Sequence, residues 1–238
     1  MNIAIIGYGR MGHEIEEAAV RRGHLIRLVI DIDNKTDLTA GNLAGIDVAI
    51  EFTTPGTALE NITTCLEAGV PVVSGTTGWL DDFEKASVIC KKKNVAFIHS
   101  SNFSIGVNIL FRLNAELAAR MNMYSDYSAS IDEIHHVKKL DAPSGTAISL
   151  AEGIINHHQG YNGWCNNNDK SPGRVPIQSL REGTVPGTHI VTWDSPIDSL
   201  TLRHEAKNRK GLALGAVVAA EFIRGKKGIF TMTDVLGL

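Results

Sequence analysis

The feature that most constrains this chain lies almost at its beginning. The β-branched run Asn2 to Ile6 leads straight into Gly7-Tyr8-Gly9-Arg10-Met11-Gly12, and an amphipathic stretch follows. A strand, G-x-G-x-x-G and a helix in that order open a dinucleotide-binding unit. The first glycine permits the tight turn, the second lets a pyrophosphate approach the backbone, and the third lets helix and strand pack closely. The helix start adds unpaired N–H groups and the positive end of its dipole. Asp31 stands 19 residues beyond Gly12 at the end of the second apolar run, the place of a ribose-binding acid. A carboxylate there accepts from both ribose hydroxyls and repels a 2′-phosphate, which favours NADH. Arg10 or Lys35 would neutralise that phosphate, so the expected cofactor is NADH and/or NADPH.

The first hundred residues continue the alternation that such a unit requires. Strands are predicted at 2–6, 25–30, 48–52, 70–74 and 95–99, with helices at about 11–22, 58–68 and 81–92. Right-handed crossovers then give an α/β fold, a Rossmann-type doubly wound parallel sheet with its ligand crevice at the strands' C-terminal ends. From Ile105 the texture turns to α+β: a long helix to Met121, a strand at 127–135, a helix from Ser144 to about Asn156, strands near 187–193 and 199–204, a helix at about 210–223 and a short strand at 228–231. The stretch between His157 and Gln178, rich in Asn, Gly and Pro, is expected to be an exposed loop. These changes divide the chain into a dinucleotide-binding domain of residues 1–104, completed by 209–238, and a second domain of residues 105–208.

Composition narrows the partners. The net charge is -3 and the basic residues are scattered, which is no footprint for nucleic acid. The longest apolar stretch, Gly211 to Ala220, is half a membrane span, and the N-terminal run ends in glycines rather than a cleavage-type sequence. Cys65, Cys90 and Cys165 show neither zinc-site nor disulfide spacing. A soluble protein of the reducing cytoplasm is expected, with a small molecule or a second copy of itself as partner.

The chemistry concentrates in Glu133-Ile134-His135-His136-Val137-Lys138-Lys139-Leu140-Asp141-Ala142-Pro143-Ser144-Gly145-Thr146-Ala147. Ala142-Pro143-Ser144 is a helix-start signal, with the proline read into the first turn. Ser144, Gly145 and Thr146 would then offer N–H groups to a carboxylate. Lys139 supplies a charge and a proton just upstream, and a His-His pair at a strand end places one imidazole toward a cleft. The run resembles the signature of the dihydrodipicolinate reductase family: two histidines, a lysine four residues after the first, and D-A-P-S-G-T. The likeness continues in Ser74 to Gly78, Ser101 to Asn108, Arg181 to His189 and Asp234 to Leu238. Two departures stand out. The segment between Asp31 and Glu51 is short, which predicts a reduced or missing second crossover helix. The glycine loop is one residue tighter than the family's usual form.

The resemblance implies an NAD(P)H-dependent oxidoreductase of lysine and diaminopimelate synthesis. Hydride passes from nicotinamide C4 to C4 of a cyclic dicarboxylate, and the resulting enamine gains a proton at C3. It implies His135 and Lys139 as the acid pair, with Lys139 the donor, and His136, Ser144, Gly145 and Thr146 as carboxylate ligands. It also implies a homotetramer built through the second domain. Gly75, Thr76 and Thr77 follow the fourth strand and Ser100, Ser101, Asn102 and Phe103 the fifth, so both groups are expected on the cofactor. Thr77 would lie where nicotinamide meets substrate, and Arg209 would close over the cofactor. His157 and His158 are expected to be solvated and no metal site is expected. Lys91, Lys92 and Lys93 suit a helix C-terminus. An aldehyde-type dehydrogenase would need a nucleophilic cysteine at the site, and a non-catalytic redox sensor would not need both His135 and Lys139.

Overall fold

The computed structural model describes residues 1–166 and 171–238 and divides into two compact units, Met1–Ile105 with Arg209–Leu238, and Gly106–Asn208. In the first, strands β1 (Asn2–Ile6), β2 (Leu25–Ile30), β3 (Val48–Glu51), β4 (Val72–Ser74), β5 (Ala96–His99) and β11 (Gly228–Phe230) form one sheet in the order β11-β5-β4-β3-β1-β2. Every pairing is parallel. The chain steps outward from β1 to β2, then crosses to β3 on the other side of β1. The C-terminal ends of β1 and β3 therefore flank the topological switch point, where an open α/β sheet binds its ligand.

Both faces of this sheet are covered, which is why its strands are nearly continuous in Val, Ile and Ala. Helices α1 (Arg10–Arg21) and α6 (Lys210–Ile223) pack on one face, where Ile3, Ile5, Ile50, Val217 and Ala220 are fully buried. Helices α2 (Pro55–Glu67) and α3 (Phe83–Lys93) cover the other with Ile62, Leu66, Ala86 and Phe97. Between β2 and β3 there is a 3₁₀ segment, Ile32–Asp37, and turns, so the second crossover carries no α-helix.

The second unit is α+β. Its sheet runs β10-β9-β6-β8-β7, from β6 (Ser128–His135), β7 (Gly163–Asn166), β8 (Arg174–Arg181), β9 (Thr188–Asp194) and β10 (Ser199–Glu205). The β10–β9 and β9–β6 pairs are antiparallel, and the β6–β8 and β8–β7 pairs are parallel. Residues of α4 (Ile105–Met121) and α5 (Gly145–His157) build a core with Ile131, Val175, Ile177, Val191 and the fully buried Trp193.

Three expectations fail here. The stretch 157–178 is not an exposed loop. It supplies β7 and the start of β8 and buries Cys165, Val175 and Ile177, while 167–170 lie outside the described residues. A four-residue edge strand and a proline-interrupted alternation carry too little local signal to be separated from turn composition. His158 is half-buried rather than fully solvated, its ring packed 5.0 Å from Tyr161 and 5.2 Å from Trp193. Pro143 lies before the α5 N-cap, not in the first turn. A short C-terminal helix, α7 (Met232–Leu236), was unanticipated.

Candidate active site

The glycine loop is shaped by contact. Gly7 has φ +93° and a Cβ there would stand 2.0 Å from the Phe52 carbonyl oxygen, while one on Gly12 would stand 2.4 Å from that of Gly7. Both positions exclude any side chain. A Cβ on Gly9 would meet nothing within 4 Å, so the fold itself does not demand glycine there. That bare backbone suits close approach by a pyrophosphate. Gly9 caps α1 with no side-chain hydrogen bond, and no acidic residue occupies the first turn, which leaves the helix start to an anion.

Arg10, Met11, Gly75, Thr76, Thr77 and Arg209 line one cleft with Gly9 and the Phe52–Thr53 bend. Asp31 and Lys35 line a second with Gly7, Gly9, Thr53 and Asn61. Asp31 is exposed at the end of β2, its backbone N–H held 2.8 Å from the Asn34 amide oxygen. Tyr8 turns away along α1, where its hydroxyl donates to Glu16. Thr76 is buried and Thr77 exposed, so of the pair Thr77 is the one open to a ligand. Ser100 Oγ donates to the Asn102 carbonyl at 2.9 Å, and Ser101 is exposed. Phe103 is 1% exposed, with its ring 5.9 Å from that of Phe52. Its side chain belongs to the core, which leaves only its backbone for a cofactor.

Beneath these loops lies Glu51, fully buried at the end of β3 and given no role by sequence reasoning. Its carboxylate accepts from Ser74 Oγ at 2.6 Å, Thr76 Oγ1 at 2.7 Å, the Thr53 N–H at 3.0 Å and the Thr53 hydroxyl. Burial pushes its carboxyl above the ordinary value, against the opposing pull of the Ser74, Thr53 and Thr76 hydrogen bonds.

In the second unit, β6 delivers His135 at its C-terminal end. Strand alternation puts Glu133 on the same face, and both are buried. His135 Nδ1 and Glu133 Oε2 lie 2.6 Å apart. Glu133 Oε1 accepts from Arg181 Nη2 at 3.0 Å and from the Ser144 N–H at 3.3 Å. Burial alone would raise the Glu133 carboxyl. Hydrogen bonds from His135, Ser179, Ser144 and Arg181 outweigh it and hold the group far below the usual carboxylate range. Arg181, at the end of β8, also donates to the Asp141 carbonyl at 2.6 Å and that of Lys139 at 3.3 Å, which pins the loop carrying Lys139.

Ser144 caps α5: its Oγ accepts from the Ala147 N–H at 3.2 Å, so Gly145 and Thr146 form the first turn at the positive helix end. His189 on β9 lies 3.2 Å from the Ser144 hydroxyl through Nε2, with its ring 5.1 Å from that of His135. Burial first, then the neighbouring His135, push His189 down to about 4 against the opposing pull of Glu133, so it is neutral at pH 7. Lys139 Nζ sits 2.8 Å from both Asp141 carboxylate oxygens, and His136 follows β6, half-buried. Glu133, His135 and His189 present ligand-type atoms within 4.8 Å of one another. The 2.6 Å contact is nevertheless of hydrogen-bond length, and Glu133 is already neutralised by Arg181.

Both halves of the sequence match models of one family: "Dihydrodipicolinate reductase, N-terminus" over residues 1–103 and "Dihydrodipicolinate reductase, C-terminus" over residues 106–236. The chain belongs to the dihydrodipicolinate reductase family. It is 52% identical over 236 residues to a 4-hydroxy-tetrahydrodipicolinate reductase of Christiangramia forsetii, covering 99% of this chain and 98% of the relative. A relative of that name from Anaeromyxobacter sp. is 37% identical, with 96% and 86% covered. The dipicolinate-bound dihydrodipicolinate reductase of Paenisporosarcina sp. TG-14 shares the fold, at TM-score 0.82 and 24% identity over 98% of each chain.

Within this reductase fold the structure gathers His135 and Ser144 around Glu133, and sets Lys139 and Asp141 on the loop that Arg181 holds. Sequence reasoning quoted Glu133, Arg181 and His189 within family-like runs but gave none of them a role. Only the two-residue spacing of Glu133 and His135 on a strand was a usable signal, because Arg181 and His189 arrive from other strands.

Proposed function

We propose that the chain reduces 4-hydroxy-tetrahydrodipicolinate with NADH or NADPH, giving tetrahydrodipicolinate for diaminopimelate and lysine synthesis. The observation that carries this reading is the Glu133–His135 pair beside the capped start of α5, with Lys139 on the loop between them. Family membership and relatives carrying that enzyme name over nearly the whole chain support it.

The unit of residues 1–104 and 209–238 would hold the cofactor through Gly7, Gly9, Arg10, Met11, Gly12 and Asp31, with Gly75, Thr77 and the Ser100–Phe103 segment. That group supplies the hydride. Residues 105–208 would hold the substrate. One carboxylate would be held at the α5 start by Ser144, Gly145 and Thr146, where N–H groups and the helix end favour an anion. His136 would meet the second. Hydride arrival leaves an enamine whose carbon must be protonated, and Lys139 is the donor. Glu133 would position His135 through the 2.6 Å approach of its Oε2 to Nδ1, leaving Nε2 to orient or shuttle that proton. The Asp141 carboxylate holds the Lys139 ammonium on this loop until the substrate draws it away.

The decisive assay follows NADH and NADPH oxidation at equal concentrations with freshly made aldolase product. Oxidation of neither would overturn the reading. Residues 105–208 would also carry a shared sheet in a homotetramer, which light scattering checks as a mass about four times 25.7 kDa. A monomeric mass at micromolar concentration would refute it. Among the described residues no helix is long and apolar enough to cross a membrane, and the free Cys65, Cys90 and Cys165 are all buried. The reducing cytoplasm is the compartment we propose.

A further inference from the structure

The Glu51 network has more order than a structural carboxylate requires. Thr53 Oγ1 accepts from Thr57 Oγ1 at 3.1 Å and from Asn61 Nδ2 at 3.3 Å, so its own proton is directed to Glu51. Thr76 Oγ1 accepts the Thr53 N–H at 2.7 Å, so its proton also goes to Glu51, at 2.7 Å. Ser74 Oγ completes the set at 2.6 Å. Among the described residues no basic side chain is bonded to the carboxylate. The carboxylate is held by oriented dipoles, which come from the end of β4 and from two loops. Thr53 lies on the loop after β3, and Thr76 on the loop after β4. Phe52, Thr53, Gly75, Thr76 and Thr77 of those loops line the cleft that Gly9 and Arg10 open onto.

A buried charge without a cationic partner acts over a longer range than a neutralised one, because the low-dielectric surroundings screen it poorly. We propose that Glu51 is a positioning residue of the cofactor site: its carboxylate ties the loop after β3 to the loop after β4, and its negative charge favours the oxidised, positively charged nicotinamide over the reduced one. Hydride departure makes the ring cationic, so this charge would also stabilise the developing charge of the transfer step. The inference rests on the reading of this unit as a pyridine-nucleotide site.

The loops have other anchors, so the network can be altered without dismantling them. The Thr76 carbonyl accepts from Trp79 Nε1 at 2.8 Å and lies 3.0 Å from His99 Nε2. Calorimetric titration of the cofactor-free protein with NADH and NAD⁺ separates the two roles, with melting temperature as the control. Glu51→Gln is nearly isosteric and removes the charge. It should raise the ratio of the NAD⁺ to the NADH dissociation constant about fivefold, the scale of one poorly screened charge acting on another at an effective dielectric of ~20–40. Glu51→Asp keeps the charge on a shorter stem and should weaken both ligands while leaving that ratio within about twofold. Thr76→Val, which cuts one tie and keeps the charge, should do the same. A folded Glu51→Gln protein with an unchanged ratio overturns the charge role, and Thr76→Val binding both ligands normally overturns the positioning role. A Glu51→Gln chain that does not fold would make Glu51 a folding determinant and overturn the proposal. A wild type that binds neither ligand would instead refute the cofactor-site reading.

Discussion

Replacing Glu133 by Gln probes the centre of the site. The side chain is fully buried, and its carboxylate faces His135 Nδ1 at 2.6 Å, Arg181 Nη2 at 3.0 Å and the Ser144 N–H at 3.3 Å. Gln keeps the volume and one acceptor, but it strands the guanidinium and puts an amide against the imidazole. Breaking a buried pair from one side costs about 3–5 kcal/mol. The Arg181 side chain keeps 20% of its exposure, so water takes up part of its charge and the low end, about 3 kcal/mol, applies. For a chain of this size that is a melting temperature lower by roughly 6–12 °C. Loss of the group that fixes His135 should also cut kcat by about a hundredfold or more, the lower bound of positioned proton transfer. Cofactor affinity, carried by other residues, should stay within about twofold. The pH dependence gives an independent check. The folded carboxyl is depressed, so its stabilisation is present above its ordinary value of 4.5 and is lost as pH falls toward the lower folded value. Glu133→Gln should abolish that acid limb. Differential scanning calorimetry from pH 3 to 8 and steady-state kinetics read both effects. A variant with wild-type melting temperature and kcat within threefold would refute the reasoning.

Other outcomes follow from the same geometry. His189 is a base depressed from 6.5 to about 4, so the unfolded chain binds its proton first. Its neutral form therefore contributes fully above pH 6.5, and about 3 kcal/mol is lost as pH falls to about 4. A titration of stability that stays flat through that window would contradict it. Lys139→Ala and His135→Ala should each lower kcat by about a hundred- to ten-thousandfold, and the double variant should lose far less than the product if they serve one proton path. Raised KM with unchanged kcat in Lys139→Ala would recast the lysine as a carboxylate anchor. Asp31→Ala should weaken NADH more than NADPH, because an exposed acid at the end of β2 accepts ribose hydroxyls and repels a 2′-phosphate. Equal loss for both would remove Asp31 from cofactor choice.

By itself the sequence determined what short-range physics encodes. Gly7 and Gly12 are dictated by backbone contacts a few residues away in the turn or across one strand, and the β-branched runs mark strands buried on both faces. The α5 start and the His135–Lys139 spacing were legible because capping, alternation and the family run all lie within one continuous stretch. Tertiary structure alone decided the rest. β7 exists because pairing with β8 satisfies its backbone and buries Cys165, a gain invisible in four residues of ordinary turn composition. Glu133 becomes an anion with partners only when β8 and β9, in register beside β6, bring Arg181 and His189 to its side. Glu51 likewise gains its partners from the end of β4 and from the loops after β3 and β4, which parallel strand pairing sets side by side. A buried charge is stabilised by whatever donors the packed neighbours present, and that choice of neighbours is made by sheet order and register, which no local pattern specifies.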